Sequence, residues 1–114
     1  MLINFFELKF LIVDSFYSEI LQNGYSYEQS AGMCYEAFAE YINEDGAECA
    51  VALSSILRLK LRHDLQLNEY DIENMNKVFL ILGQIDMKKI LTESEYEYFE
   101  EDILILEYKS KELK

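Results

Sequence analysis

Hydrophobic residues recur at intervals of three and four along almost all of this 114-residue chain. Such spacing places them on one face of an amphipathic helix. The chain has no proline and only four glycines, which are the residues that strands and their turns usually require. The pattern therefore predicts an all-α protein.

The first two predicted helices are separated by a glycine stop and a capping box. The first covers about Leu2 to Gln22 and ends before Asn23-Gly24. Its predicted inner face consists of Ile3, Phe6, Phe10, Val13, Phe16 and Ile20. The second covers about Tyr27 to Asn43 and begins at the capping box formed by Ser26 and Gln29. Its predicted inner face consists of Ala31, Cys34, Tyr35, Phe38, Tyr41 and Ile42.

The third predicted helix follows Asp45-Gly46, and Asp45 and Glu48 repeat the pattern of a capping box. Its middle, CAVALSSIL at positions 49–57, carries no charge on any side, which predicts a central position in the bundle. The helix ends in the cations Arg58, Lys60, Arg62 and His63, where the helix dipole favours positive charge.

Asn68 caps a fourth predicted helix that runs to about Ile90 and includes Gly83. The fifth runs from about Glu93 to Glu112 and begins at the capping box Thr92-x-x-Glu95. Its apolar stripe is Tyr96, Phe99, Ile103 and Leu106. Because the connections are short, we expect a compact bundle of about five antiparallel helices in a single domain, residues 1–114.

The composition limits the classes of partner and compartment. Hydrophobic residues form 51% of the chain, so it is not a disordered acidic tail, and its net charge of −12 repels nucleic acid and anionic membranes. No apolar run is long enough to span a bilayer, and the N-terminus lacks the basic region of a secretory signal. We therefore expect a soluble, cytoplasmic protein in which Cys34 and Cys49 are buried free thiols.

Acidic residues are concentrated in a long segment that has no cation. From Phe10 through Leu57 there is no lysine or arginine, whereas eight residues are acidic. On the second predicted helix, Glu36, Glu40 and Glu44 follow one another at intervals of four, an arrangement that destabilises an isolated helix. This stripe is a solvated face, or it pairs with Arg58 and Arg62 of a neighbouring helix, or it binds a basic protein. The predicted partner-binding residues are Glu28, Glu36, Glu40, Glu44, Asp45 and Glu48.

A second acidic stretch, TESEYEYFEED, occupies positions 92–102. The helix N-terminus explains Glu93 and Glu95, because acids are favoured in a first turn. The other acids lie beyond that turn, and we expect them on a solvated face, off the apolar stripe. Glu97, Glu100 and Glu101 form the second candidate partner surface, and Asp102 completes the stretch.

No pattern of catalytic, cofactor-binding or metal-binding residues is present. A di-iron bundle needs Glu-x-x-His pairs, and His63, the only histidine, has no glutamate three residues before it. All-α nucleotide pyrophosphatases carry Glu-Glu-x-x-Glu, but here Glu100-Glu101 is followed by Leu104. There is no glycine-rich phosphate loop either. We therefore predict no enzyme activity, no catalytic residue, no cofactor and no metal.

Four segments carry a resemblance to a known family: GYSYEQSA (24–31), EAFAEYI (36–42), LKLRHDL (59–65) and LTESEYEYFEEDI (91–103). Together they resemble small all-α immunity proteins of bacterial polymorphic toxin systems of the contact-dependent inhibition type. The resemblance implies a cytoplasmic antidote that binds one cognate toxin and blocks its active site, without catalytic residues of its own. The acidic surface fits a basic, nucleic-acid-degrading toxin domain. An alternative is an acidic nucleic-acid mimic or adaptor bundle that sequesters a basic DNA-binding protein.

Overall fold

A computed structural model describes residues 4–113 of the chain, and that range consists of six α-helices without a strand. The helices are α1 (Phe5–Asn23), α2 (Tyr27–Ala37), α3 (Ala39–Ile42), α4 (Ala47–Arg62), α5 (Glu69–Leu82) and α6 (Glu93–Glu112), with a 3-10 turn (Met87–Lys89) before α6. Only α3 is shorter than two turns. The predicted all-α bundle is confirmed.

Helix α4 is the centre of the bundle, as its uncharged middle predicts. It contacts each of the other five helices. Every residue from Cys49 to Leu57 is buried, so this segment supplies much of the hydrophobic core. The two cysteines are buried free thiols, and burial raises the pKa of Cys34 to about 11. Both predictions for the cysteines are confirmed.

Most of the predicted helix ends are also confirmed. Gly24 adopts a left-handed conformation (φ 69°), and its N–H donates to the Ile20 carbonyl at 3.1 Å, which ends α1. The capping boxes at Ser26 and Thr92 are formed, and Asn68 forms another with Asp71. The prediction of a capping box at Asp45 and Glu48 is wrong. Gly46 precedes α4 without a side-chain cap, because the Asp45 carboxylate turns instead toward Lys77, 3.5 Å away.

The predicted inner face of the first helix is wrong over its first half. Phe6 and Phe10 are exposed, whereas the buried residues of α1 are Phe5, Leu8, Ile12 and Phe16. The segment FFELKFLIV is apolar on nearly all sides, so its spacing fits more than one face. Tertiary contacts choose the face: the Phe5 ring meets the Phe99 ring of α6 edge-on at 6.2 Å. Leu2 and Ile3 lie outside the described residues.

The second predicted helix is interrupted. Helix α2 ends at Ala37, Phe38 leaves the helical conformation (φ −108°, ψ 21°), and α3 continues for one turn. The redirected turn buries Ile42, whose carbonyl accepts hydrogen bonds from Lys77 Nζ (2.7 Å) and from Cys49 Sγ (3.2 Å). A continuous helix would also place Glu36, Glu40 and Glu44 at intervals of four without a cation near them in sequence, and like charges at that spacing destabilise a helix.

The fourth predicted helix is shorter than expected, and Gly83 is its C-terminal cap rather than an interior residue. Glycine is a poor helix former. Asp86 then starts the 3-10 turn by accepting a hydrogen bond from the Lys88 N–H at 3.1 Å. In α6 the predicted stripe is confirmed, with Phe99, Ile103 and Leu106 buried and Tyr96 packed against the core.

Candidate functional site

A cleft of about 440 Å³ opens where α2, α3, α4 and α5 meet. It contains two of the six predicted partner-binding residues together with a buried group of charges that the sequence did not reveal. The residues that determine its chemistry are Glu28, Gly32, Tyr35 and Glu36 of α2, Lys60 of α4, and Tyr70 and Asp71 of α5.

The floor of the cleft is an ion pair between Lys60 and Asp71. The side chains are 2% and 1% exposed, and Lys60 Nζ lies 2.5 Å from Asp71 Oδ2. Lys60 also donates to Glu28 Oε1 at 3.0 Å, so the ammonium group joins a buried carboxylate to one at the rim. Lys60 is therefore not simply a dipole partner at the end of α4, as the sequence suggested.

Asp71 has hydrogen-bond donors on both carboxylate oxygens. The Tyr35 hydroxyl donates to Oδ1 at 2.8 Å, and the Asn68 backbone N–H donates to Oδ2 at 2.9 Å. Burial, followed by the neighbouring Asp71 charge, raises the pKa of Tyr35 far above its ordinary value, so its hydroxyl keeps its proton. Asp71 is buried on the same face of α5 as Met75 and Val78.

The rim of the cleft is acidic and carries one aromatic ring. Glu28 and Glu36 are exposed, and Tyr70 is 51% exposed. The Tyr70 ring is held by an edge-on contact with Tyr35, with the ring centroids 5.0 Å apart. Within the cleft, Lys60 balances Asp71, so the two rim glutamates leave a net charge of −2.

The other four predicted residues lie outside this cleft. Glu40 is exposed on α3, and Glu44 and Asp45 are exposed in the loop before α4. Glu48 is half-buried and lines a separate hollow with Leu11 and Tyr41. The break at Phe38 means that Glu36, Glu40 and Glu44 do not form a single straight stripe, so this part of the prediction is wrong.

The alternative in which Arg58 and Arg62 pair with these acids is not realised among residues 4–113. Arg58 lies instead 3.9 Å from Asp102, while Lys60 pairs with Glu28 and Lys77 pairs with Asp45. Within the described range, no ion pair is formed by Glu36, Glu40, Glu44 or Glu48. The acidic surface keeps most of its negative charge.

The second acidic stretch is divided by the fold. Glu97 and Glu101 border a hollow on α6 with Ser94 and Tyr98, whereas Glu100 lines a larger groove facing residues 82–87. Asp102 is 7% exposed and binds Lys9 of α1, so the prediction that it lies on a solvated face is wrong. The burial of Asp102 follows from its position on α6, because it precedes the buried Ile103 and lies three residues after the buried Phe99.

One signal in the sequence could have revealed the floor of the cleft. Lys60 continues the series Leu53, Ile56 and Leu57 at helical spacing and therefore belongs to the buried face of α4. A lysine at such a position requires a buried partner. The identity of that partner, Asp71, follows only from the packing of α4 against α5.

The comparisons with known proteins do not extend this description. Models of protein families, curated protein sequences and solved structures were compared with the chain, and none matched. Among residues 4–113, no group of three or more acidic, histidine or cysteine side chains is arranged to hold a metal ion. None of the helices in that range is both long and apolar enough to cross a membrane.

Proposed function

We propose that this chain is an immunity protein that binds and neutralises a basic toxin domain of the nuclease type. The resemblance of four sequence segments to immunity proteins supports this proposal, as does the acidic surface formed by α2, α3 and the start of α4. The partner would place the cations with which it holds nucleic acid against that surface, and its active site would be blocked.

One observation carries the proposal. Glu36, Glu40 and Glu44 are exposed on adjoining parts of the chain, and no cation of the described residues forms an ion pair with them. Two lysines at this surface bind other acids: Lys60, which lines the same cleft as Glu36, is buried with Asp71, and Lys77 contacts Asp45. Uncompensated charge on one face accelerates association with a partner of opposite charge and selects among partners.

The test is a charge reversal with a matched control. The variant Glu36→Lys, Glu40→Lys should lose binding to the cognate toxin domain and should no longer restore growth to cells that produce the toxin. Each close charge pair that is disrupted costs about 2 kcal/mol or more of binding free energy. The control Glu97→Lys, Glu101→Lys carries the same change of net charge on α6 and should still protect.

Both variants should fold, because all four glutamates are exposed and replacing like charges reduces repulsion. Melting temperatures close to that of the wild type would establish this. Full protection by the α2–α3 variant and loss of protection by the α6 variant would move the interface to α6. Binding to a DNA-binding protein that duplex DNA displaces, without any effect on toxin, would favour the nucleic-acid mimic.

A further inference from the structure

The cleft where α2, α3, α4 and α5 meet is lined by residues of several helices and has an exposed aromatic ring, Tyr70, at its rim. We propose that it is an anchor site for an arginine side chain, with the guanidinium group held by Glu28 and Glu36 and stacked on Tyr70. The inference deepens the proposed function and rests on it for the source of the arginine, which would be the basic partner.

The buried lysine does not make the cleft a site for anions. Lys60 Nζ already donates to Asp71 at 2.5 Å and to Glu28 at 3.0 Å. Its charge is balanced by Asp71, and its side chain is 2% exposed. The groups that remain accessible are the rim carboxylates, which accept hydrogen bonds and attract cations.

The arrangement favours arginine over lysine. A guanidinium group forms paired hydrogen bonds with carboxylates and stacks on an aromatic face, whereas an ammonium group does neither as well. Tyr70 supplies an exposed ring that Tyr35 holds in place. Glu36 forms no ion pair with any described residue, and Glu28 uses Oε1 for Lys60.

Gly32 lines the cleft and leaves open space beside it. A Cβ atom built at this position would meet no atom within 4 Å, so the space beside Gly32 is open. Because Gly32 lies inside α2 with ordinary helical geometry, a larger residue can be introduced there without strain. The cleft can therefore be filled without any change of charge.

The hollow on α6 is an internal comparison. It also has two glutamates and an exposed tyrosine: Glu97, Glu101 and Tyr98. All of its lining residues come from one helix, whereas four helices surround the cleft. General attraction to acidic residues would act equally at both places, but an arginine anchor would act only at the cleft.

The binding experiment uses the full chain and small molecules. N-acetyl-arginine N-methylamide is titrated into ¹⁵N-labelled protein and followed by NMR, with the corresponding lysine and citrulline derivatives as comparisons. We expect saturable shifts of the amides of Gly32, Glu36 and Tyr70 with the arginine derivative, weaker binding of the lysine derivative, and none of citrulline. Equal shifts at Ser94 and Glu97, or equal binding of lysine, would overturn the inference.

Three variants sharpen the test. Gly32→Leu should abolish saturable binding while the melting temperature stays the same or rises. Glu36→Gln should weaken binding by about three- to tenfold and Tyr70→Ala by about two- to fivefold. The control Glu40→Gln removes the same charge from a neighbouring exposed position and should change binding by less than about twofold. Undiminished binding by the stably folded Gly32→Leu variant would exclude the cleft.

The two proposals can fail separately. If the arginine derivative does not bind at the cleft but the charge reversal at Glu36 and Glu40 abolishes toxin binding, the immunity function stands and the anchor site is wrong. If the arginine derivative binds at the cleft and no basic toxin is neutralised, the anchor site stands and its natural ligand belongs to another arginine-bearing protein.

Discussion

Asp71 and Asp102 both bind a lysine beneath an acidic surface, but the two ion clusters differ in how far their cations reach solvent. Lys60 and Asp71 have side chains 2% and 1% exposed. At the other cluster, the side chain of Asp102 is 10% exposed, and the side chains of Lys9 and Arg58 remain about a quarter exposed.

This difference determines how far the cations of each cluster are accessible. Lys60 is enclosed, so it cannot pair with a partner's acids. The side chains of Lys9 and Arg58 are partly exposed, so they remain in contact with solvent. Acidic stretches of sequence therefore predict a negative surface only after the cations that the fold brings to them are known.

The largest expected effect is on stability. Asp71→Ala leaves the Lys60 ammonium buried without its main partner, and we expect a loss of about 3–5 kcal/mol in the free energy of unfolding. Asp102→Ala should cost less, about 1–2 kcal/mol, because Lys9 and Arg58 can turn toward water. Urea unfolding of both variants measures the difference. Equal losses would show that the burial of the two clusters is energetically equivalent.

The sequence predicted the helix content, most helix ends, the central position of α4 and the buried cysteines. These features depend on local patterns: glycine at 24, capping residues at 26 and 92, and an uncharged run at 49–57. The break at Phe38 and the inner face of α1 could not be predicted, because contacts distant in sequence decide them. Phe5 against Phe99 is one such contact.

The candidate site was predicted in part. Glu28 and Glu36 were identified by the absence of nearby cations in the sequence, and both line the cleft. The sequence did not identify three of the site residues. Tyr35 alone resembles an ordinary core residue, Lys60 a helix-end residue and Tyr70 a surface residue. Only the packing of α2 and α5 against α4 brings them together.

The next effect in size concerns the Tyr35 hydroxyl. Tyr35→Phe removes the donor to Asp71 Oδ1 and leaves a buried acceptor without that partner, which should cost about 1–3 kcal/mol of stability at neutral pH. The matched control Tyr98→Phe removes an exposed hydroxyl above the other cluster and should change stability by less than about 0.5 kcal/mol. Thermal or urea unfolding at pH 7 provides the comparison.

The same tyrosine predicts a loss of stability at alkaline pH. The pKa of Tyr35 is raised in the folded protein by burial and by Asp71, so the folded state keeps a proton that the unfolded state releases. Stability from this group is therefore complete below about pH 10, the ordinary pKa, and falls as the pH rises further. Tyr35→Phe should flatten this fall relative to the wild type. Identical slopes above pH 10 would contradict the assignment.

A smaller effect is expected at the rim of the cleft. Glu28→Gln removes a charge that is 55% exposed and leaves Lys60 paired with Asp71, so the cost should be about 1 kcal/mol or less. Binding of the arginine derivative should nevertheless weaken, because one of the two accessible carboxylates is lost. A large loss of stability would show that Lys60 depends on Glu28 as well as on Asp71.

The smallest expected effect comes from replacing the whole buried cluster. Lys60→Met, Asp71→Leu and Tyr35→Phe together remove both charges and the hydroxyl, so no buried ion is left without a partner. Replacement of a buried ion pair by apolar residues of similar size is often neutral or stabilising, and we expect a free energy of unfolding within about 1 kcal/mol of the wild type. The paired removal of one positive and one negative charge also leaves the net charge of the cleft at −2.

The rim residues Glu28, Glu36 and Tyr70 remain, so the triple variant should still bind the arginine derivative. Stable folding without binding would show instead that the ion pair positions the rim glutamates, and Asp71 would then serve the site as well as the fold.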